Sequence, residues 1–144
     1  MRVVTSDVMT SELVQVGIRP TGYRLPDEAR VGRVRLQVSD LSASLTYYTG
    51  VLGFRVVAQE SAVAVLGVED GFALIELHER RGARRVPRLG LLGLYHFAIL
   101  LPDRAALGRF VRHLAESGEY AGMSDHLVSE AVYLTDPDGL GIEV

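Results

Sequence analysis

Gly32-Arg33-Val34-Arg35-Leu36-Gln37-Val38-Ser39-Asp40 returns in outline as Leu94-Tyr95-His96-Phe97-Ala98-Ile99-Leu100-Leu101-Pro102-Asp103. Each stretch is a strand with apolar residues that runs into an Asp able to cap a following helix. The echo continues at the far end of each copy, where Leu74-Ile75-Glu76-Leu77 matches Gly141-Ile142-Glu143-Val144. Arg33 and His96 lie 63 residues apart, and Glu76 and Glu143 lie 67 apart. Two stretches of the same order and nearly equal length mark an internal duplication. A duplicated module presents its matched side chains to one another, here Arg33, Glu76, His96 and Glu143.

Between these anchors the pattern is the same twice. Val34, Leu36 and Val38 alternate with Arg33, Arg35 and Gln37, the period of a half-buried strand. Leu41, Leu45, Tyr48 and Leu52 then recur at helical spacing, and Gly53 stands where a helix would end. Three short strands are expected over 54–59, 62–66 and 72–77, with turns at Glu60-Ser61 and Glu69-Asp70-Gly71. The second copy opens with a strand over 94–101. Asp103 then caps a helix whose stripe is Leu107, Phe110, Val111 and Leu114, ending near Gly118. A strand or loop over 121–128, a strand over 130–135, the turn Asp136-Pro137-Asp138-Gly139 and a last strand over 141–144 complete it. The fold class is α+β, with βαβββ modules at 31–79 and 93–144 in tandem, a linker at 80–92 and an irregular extension at 1–30.

Composition bounds the rest. A chain of 144 residues, 48% apolar, is one ordinary domain with enough apolar surface for a core. The net charge of −3 gives no reason to expect nucleic acid or a membrane surface as partner. The absence of cysteine removes disulfides, thiolate metal sites and a cysteine nucleophile together. No apolar run approaches the roughly 20 residues of a membrane helix, and residues 1–10 do not read as a secretory signal, so a cytoplasmic protein is expected. The linker holds Arg80, Arg81, Arg84, Arg85 and Arg88. It is either a solvated connection or a mouth that attracts an anionic substrate.

The run Val38-Ser39-Asp40-Leu41-Ser42-Ala43-Ser44-Leu45-Thr46-Tyr47-Tyr48-Thr49-Gly50-Val51-Leu52-Gly53-Phe54 resembles the opening motif of the vicinal-oxygen-chelate superfamily. That superfamily includes glyoxalase I, bleomycin-binding proteins and extradiol ring-cleavage dioxygenases. The run Asp136-Pro137-Asp138-Gly139-Leu140-Gly141-Ile142-Glu143 resembles its closing motif. The segment 93–103, with Asp125-His126-Leu127-Val128-Ser129-Glu130-Ala131-Val132-Tyr133-Leu134, is similar to the bacterial catechol 2,3-dioxygenase-like branch. Members of that branch are often about twice this length. This fits a chain that stops one residue after Glu143, and raises the expectation that it is half of a larger enzyme.

The resemblance implies cupped mixed sheets that enclose a central pocket. It also implies a divalent metal, iron(II) or manganese(II), held by first-strand and last-strand residues. Carried over, those positions are Arg33, His96, Glu76 and Glu143. Arg33 departs from the usual His: a guanidinium stays protonated and has no lone pair to give a metal. Glu76 could then be the third ligand, Arg33 could turn outward, or no metal binds and Arg33 holds a polar or anionic ligand. His96 reads as a ligand or as a satisfied core histidine, Glu143 as a pocket residue or an edge carboxylate, and Glu76 as a ligand or a surface glutamate. His126 matches a second-sphere general acid–base, since imidazole titrates near neutrality; otherwise it is a surface loop residue. Tyr133 could donate to a substrate oxygen or pack in the core. His78 and His113 read as bystanders.

The function implied is an extradiol dioxygenase-like metalloprotein with a degenerate metal site. The alternatives are a metal-free cup that sequesters an aromatic or anionic small molecule, and the inert half of a longer dioxygenase. A homodimer is expected by resemblance.

Overall fold

In the computed structural model the residues described are 21–26, 28–29, 31–85, 87, 93–119, 121–127 and 129–144. The two nominated aspartates open the two helices. Asp40 accepts from the Ala43 N–H at 2.9 Å and starts α1 (Leu41–Gly50), and Asp103 accepts from the Ala106 N–H at 2.7 Å and starts α2 (Arg104–Ser117). Each carboxylate satisfies an amide that the first helical turn leaves without a partner. The α2 helix closes on Gly118 in the left-handed region, φ 74°, which glycine adopts without strain.

The strands fall into two four-stranded mixed sheets. The first holds β1 (Val34–Val38), β2 (Arg55–Glu60), β3 (Val63–Gly67) and β4 (Ala73–Glu79) in the order β1-β4-β3-β2. The second holds β5 (His96–Ala98), β6 (Gly122–Asp125), β7 (Glu130–Thr135) and β8 (Gly141–Glu143) in the order β5-β8-β7-β6. In both, the first strand runs parallel to the last and the other pairs are antiparallel. The registers repeat as well: Val34 pairs with Ile75 and Arg35 with Glu76, as Phe97 pairs with Ile142 and Ala98 with Glu143. Among the described residues, two helices and two equivalent mixed sheets make the α+β class and the duplicated βαβββ order visible in the backbone.

One face of each sheet makes the core. Leu36, Val38, Leu66, Ile75 and Leu77 are buried in the first module, and Phe97, Val132, Leu134 and Ile142 in the second. On α1 the inward residues are Leu41, Ser44 and Tyr48, while Leu45 and Leu52 of the expected stripe are only half-buried. Ser44 can face inward because its hydroxyl donates to Asp40 O at 2.8 Å. On α2 only Leu114 of the expected stripe is buried.

The strand expected over 94–101 is a correction: β5 has three residues. Its one partner, β8, offers three, and the ladder passes no further than the bond from Ile99 N–H to Glu143 O, 2.8 Å. Leu94, Tyr95 and Leu100 are exposed outside it. The sixth strand covers only part of 121–128, and Val128 lies outside the described residues. So do Arg88 and most of the extension at 1–30.

The chain divides into compact units Met1–Val31 and Gly32–Val144. Within the second unit the modules dock through the β7–β8 turn. The Tyr48 hydroxyl donates to Asp136 Oδ2 at 3.0 Å, and Asp136 Oδ1 accepts from the N–H groups of Asp138 and Leu140 at 2.9 and 2.8 Å. Asp138 takes the Ser39 N–H at 2.7 Å and the Ser39 hydroxyl at 2.5 Å. All four buried carboxylate oxygens are thus occupied, as burial of carboxylates demands. His113, read as a bystander, adds a bond between its Nε2 and Gly50 O at 3.0 Å, tying α2 to the end of α1. The matching turn of the first module has Val68 and Phe72 where the second has Asp136 and Leu140, and both are exposed.

Candidate functional site

The second sheet carries a cleft of ≈ 810 Å³ on the face away from its core, lined among others by His96, Glu143, Tyr133, Tyr95 and Arg85. Alternation sets this lining. Phe97, Leu134 and Ile142 are buried, while the more exposed residues beside them, His96, Tyr133 and Glu143, present their side chains to the cleft.

Gly141 brings His96 onto this face. It sits directly across from His96, and a Cβ there would lie 3.0 Å from His96 Cβ and 3.1 Å from Tyr95 O. With no side chain at 141, β5 approaches closely and the imidazole reaches along β8. His96 Nε2 stands 3.4 Å from Glu143 Oε2, both groups partly exposed. The Tyr95 ring meets the imidazole edge-on at 5.5 Å.

Tyr133 pairs with Glu143 across the ladder, and its oxygen lies 2.8 Å from His126 Nε2, the two rings perpendicular. Burial raises the Tyr133 phenol pKa, and the charge of Glu143 and a hydrogen bond to it raise it further. A phenol has one proton. With that proton directed to Glu143, its oxygen accepts from the His126 Nε2–H. Tyr133 thus stands between His126 and Glu143, and His96 Nε2 lies against Glu143 Oε2. Tyr133 is 36% exposed, so it is a cleft residue and not core packing. His126 is exposed, on a tight loop held by its own N–H to Ser129 O at 2.9 Å and by Leu127 in the left-handed region, φ 68°.

The first-module positions go elsewhere. Glu76 accepts from Arg35 Nη2 at 3.3 Å and lies 3.2 Å from His78 Nε2. Burial works to raise its pKa, but the bonds from His78 and Arg35 prevail and lower it. His78 is therefore a partner of Glu76 and not a bystander. Arg33 precedes β1, is exposed, and has no ion pair or hydrogen bond among the described residues. A guanidinium there adds no lone pair to the cleft. Among the described residues no three His, Asp or Glu side chains group as a metal site would require. His96 and Glu143 offer two donors, short of the two-His-one-carboxylate set of non-haem iron.

Sequence reading missed the docking role of Asp136, Asp138, Tyr48 and His113. The first two carried a signal: a turn with two aspartates, one more than a Pro-Gly turn needs. Arg85 was seen only as part of a charge run. A second groove of ≈ 360 Å³, with Leu107, Val111 and Met123, holds the Arg104–Glu130 pair and no histidine.

Residues 30–144 match the Glyoxalase/Bleomycin resistance protein/Dioxygenase superfamily, and the chain belongs to it. It is 42% identical over 118 residues to the catechol-2,3-dioxygenase of Bacillus subtilis (strain 168), which covers 82% of this chain and 41% of that protein. The chain thus spans about two fifths of the length of that curated relative. Among solved structures it is similar to the glyoxylase/bleomycin resistance protein/dioxygenase domain from Frankia sp. EAN1pec, at TM-score 0.65 and 20% identity over 80% of this chain and 94% of that one. A glyoxalase/dioxygenase from Nostoc punctiforme gives TM-score 0.62 and 22% identity, over 86% and 96%. At these identities the structural likeness speaks for the fold.

Proposed function

We propose that the chain is a dioxygenase-like protein that takes a small hydroxylated aromatic molecule into the second-module cleft, around a metal site reduced to two protein donors. The observation that carries the reading is the convergence of His96, Glu143, Tyr133 and His126 in one cleft, with His96 and Glu143 3.4 Å apart. The likeness to a catechol-2,3-dioxygenase supports the substrate class.

The residues fit a complete ring-cleaving metal set poorly. Arg33 cannot coordinate, and Glu76 is engaged by Arg35 and His78. What the side chains can do without a metal is bind and order hydroxyls. Glu143 accepts a hydrogen bond from a ligand hydroxyl, Tyr133 and His126 share a hydrogen bond at its side, and Tyr95 offers an aromatic wall. A homodimer in the cytoplasm completes the reading. It rests on the family resemblance, and among the described residues no helix is long and apolar enough to cross a membrane.

The test is paired. The protein is incubated with iron(II), manganese(II), nickel(II) and zinc(II), beside His96→Ala and Glu143→Ala, and its metal content is measured. Catechol-induced thermal stabilisation is then followed with metal and with chelator. The expected result is substoichiometric metal lost in both variants, with a catechol shift that chelator does not abolish. Full metal retained in both variants, or no catechol shift under either condition, overturns the reading.

A further inference from the structure

We propose that Arg85 makes the cleft selective for hydroxylated aromatics that also carry a carboxylate. The inference rests on the cleft reading above and names its ligand more closely.

The linker's arginines are not equivalent. Arg80 donates to Gln37 at 3.4 Å, and Arg81 to Glu79 at 3.3 Å, so both turn back onto the first module. Arg84 and Arg85 have no hydrogen bond or ion pair among the described residues, and of these two only Arg85 lines the cleft. It does so beside Pro87, from the segment that follows β4, whereas His96, Tyr133 and Glu143 come from the second sheet. One wall of the cleft therefore carries an unpartnered planar cation, and another carries a carboxylate already flanked by an imidazole.

That arrangement orients a ligand by charge. A carboxylate on the ring is repelled by Glu143 and attracted by Arg85, while its hydroxyls suit Glu143, Tyr133 and His96 as acceptor and donor partners. Guanidinium meets carboxylate through two parallel N–H groups, a geometry that a hydroxyl cannot return. The other acid lining the cleft, Asp136, is 6% exposed and spent on Tyr48 and on backbone N–H groups, so it does not compete for Arg85.

The test is calorimetric titration of the full chain with catechol and with 3,4-dihydroxybenzoate, repeated on Arg85→Gln and Arg84→Gln. The wild type should bind the carboxylated ligand about fivefold more tightly, the scale of one partly solvated charged pair. Higher salt should shrink this advantage. Arg85→Gln should remove the advantage, so that the two ligands bind alike, and Arg84→Gln should change neither affinity. Catechol binding with no carboxylate preference, or a preference that survives in Arg85→Gln, overturns this inference and leaves the cleft reading standing. Binding of neither ligand overturns the cleft reading and this inference with it.

Discussion

His96 owes its place to a residue that has no side chain. Its Cβ stands where a Cβ on Gly141 would come to 3.0 Å, a spacing that forces one strand to yield. Gly141→Ala should push β5 away by a few tenths of an ångström and cost about 1 kcal/mol of stability. The sharper consequence is functional: the 3.4 Å approach of His96 to Glu143 opens, and catechol affinity should fall several-fold while far-ultraviolet dichroism stays unchanged. An Ala variant that binds as the wild type does would show that the glycine serves the ladder alone. A second residue-scale expectation concerns Asp136. Burial raises its pKa, against the lowering bonds from Leu140, Tyr48 and Asp138, and the charge of Asp138 adds to the rise. Below the ordinary carboxylate range both folded and unfolded chains hold the proton, and the contribution to stability is whole. As pH climbs through the raised folded value the buried group must ionise, and that contribution is lost. Asp136→Asn keeps an oxygen for the backbone N–H groups and cannot ionise. Urea melts should therefore show the wild type losing ground to Asp136→Asn as pH rises from about 4 to about 7. A difference that stays flat over that interval would assign the site no titration.

At the scale of elements, the closing turns decide how strands pair. Gly67 ends β3, and a Cβ there would meet Phe72 O at 2.4 Å and Val57 Cγ2 at 2.9 Å. The carbonyl is backbone in a turn and cannot swing aside, so Gly67→Ala should cost about 2 kcal/mol or more, read from a denaturant midpoint. Little change would mean that the β3–β4 turn re-forms elsewhere. Much of the element level was legible beforehand. Asp40 and Asp103 cap because an Asp before an apolar period is a local signal, read from a few neighbouring residues. The repeated Ile-Glu strands end both modules because periodicity and spacing survive in one dimension. The shortness of β5 was not legible, because a strand's length is fixed by its partner in the sheet. Nor was the pairing of Glu76 with His78 and Arg35: Arg35 is brought to Glu76 by register across 41 residues, and the geometry at His78 depends on which way β4 faces. The cleft was legible as a list of residues. Its reduced donor set followed from Arg33, whose chemistry is plain in the sequence, but that Arg85 has no partner among the described residues was visible only after folding.

At the scale of the whole molecule, the duplication is docked by a contact that only one side of it makes. Tyr48 from the first module closes on Asp136 of the second, and Ser39 closes on Asp138. In the other direction the first module's turn offers Val68 and Phe72, both exposed. Each module has its own sheet, but the buried apolar residues of both belong to one cluster, and the buried polar contacts between Tyr48, Ser39 and the β7–β8 turn add to what binds their unfolding into one event. Tyr48→Phe removes a hydroxyl from a fully buried ring and leaves Asp136 Oδ2 unsatisfied, which should cost about 2 kcal/mol. Combined with Ser39→Ala, it should do more than lower the midpoint. The wild type is expected to unfold in one transition, with amides of the β3–β4 and β7–β8 ladders exchanging at a common limiting rate. In the double variant those two sets should separate, the second module opening first, because it keeps two buried carboxylates without their partners. Hydrogen exchange followed by mass spectrometry on the two ladders reads this directly. Coincident exchange in the double variant would locate the coupling in the apolar cluster the modules share and in the helix contact that His113 makes with Gly50.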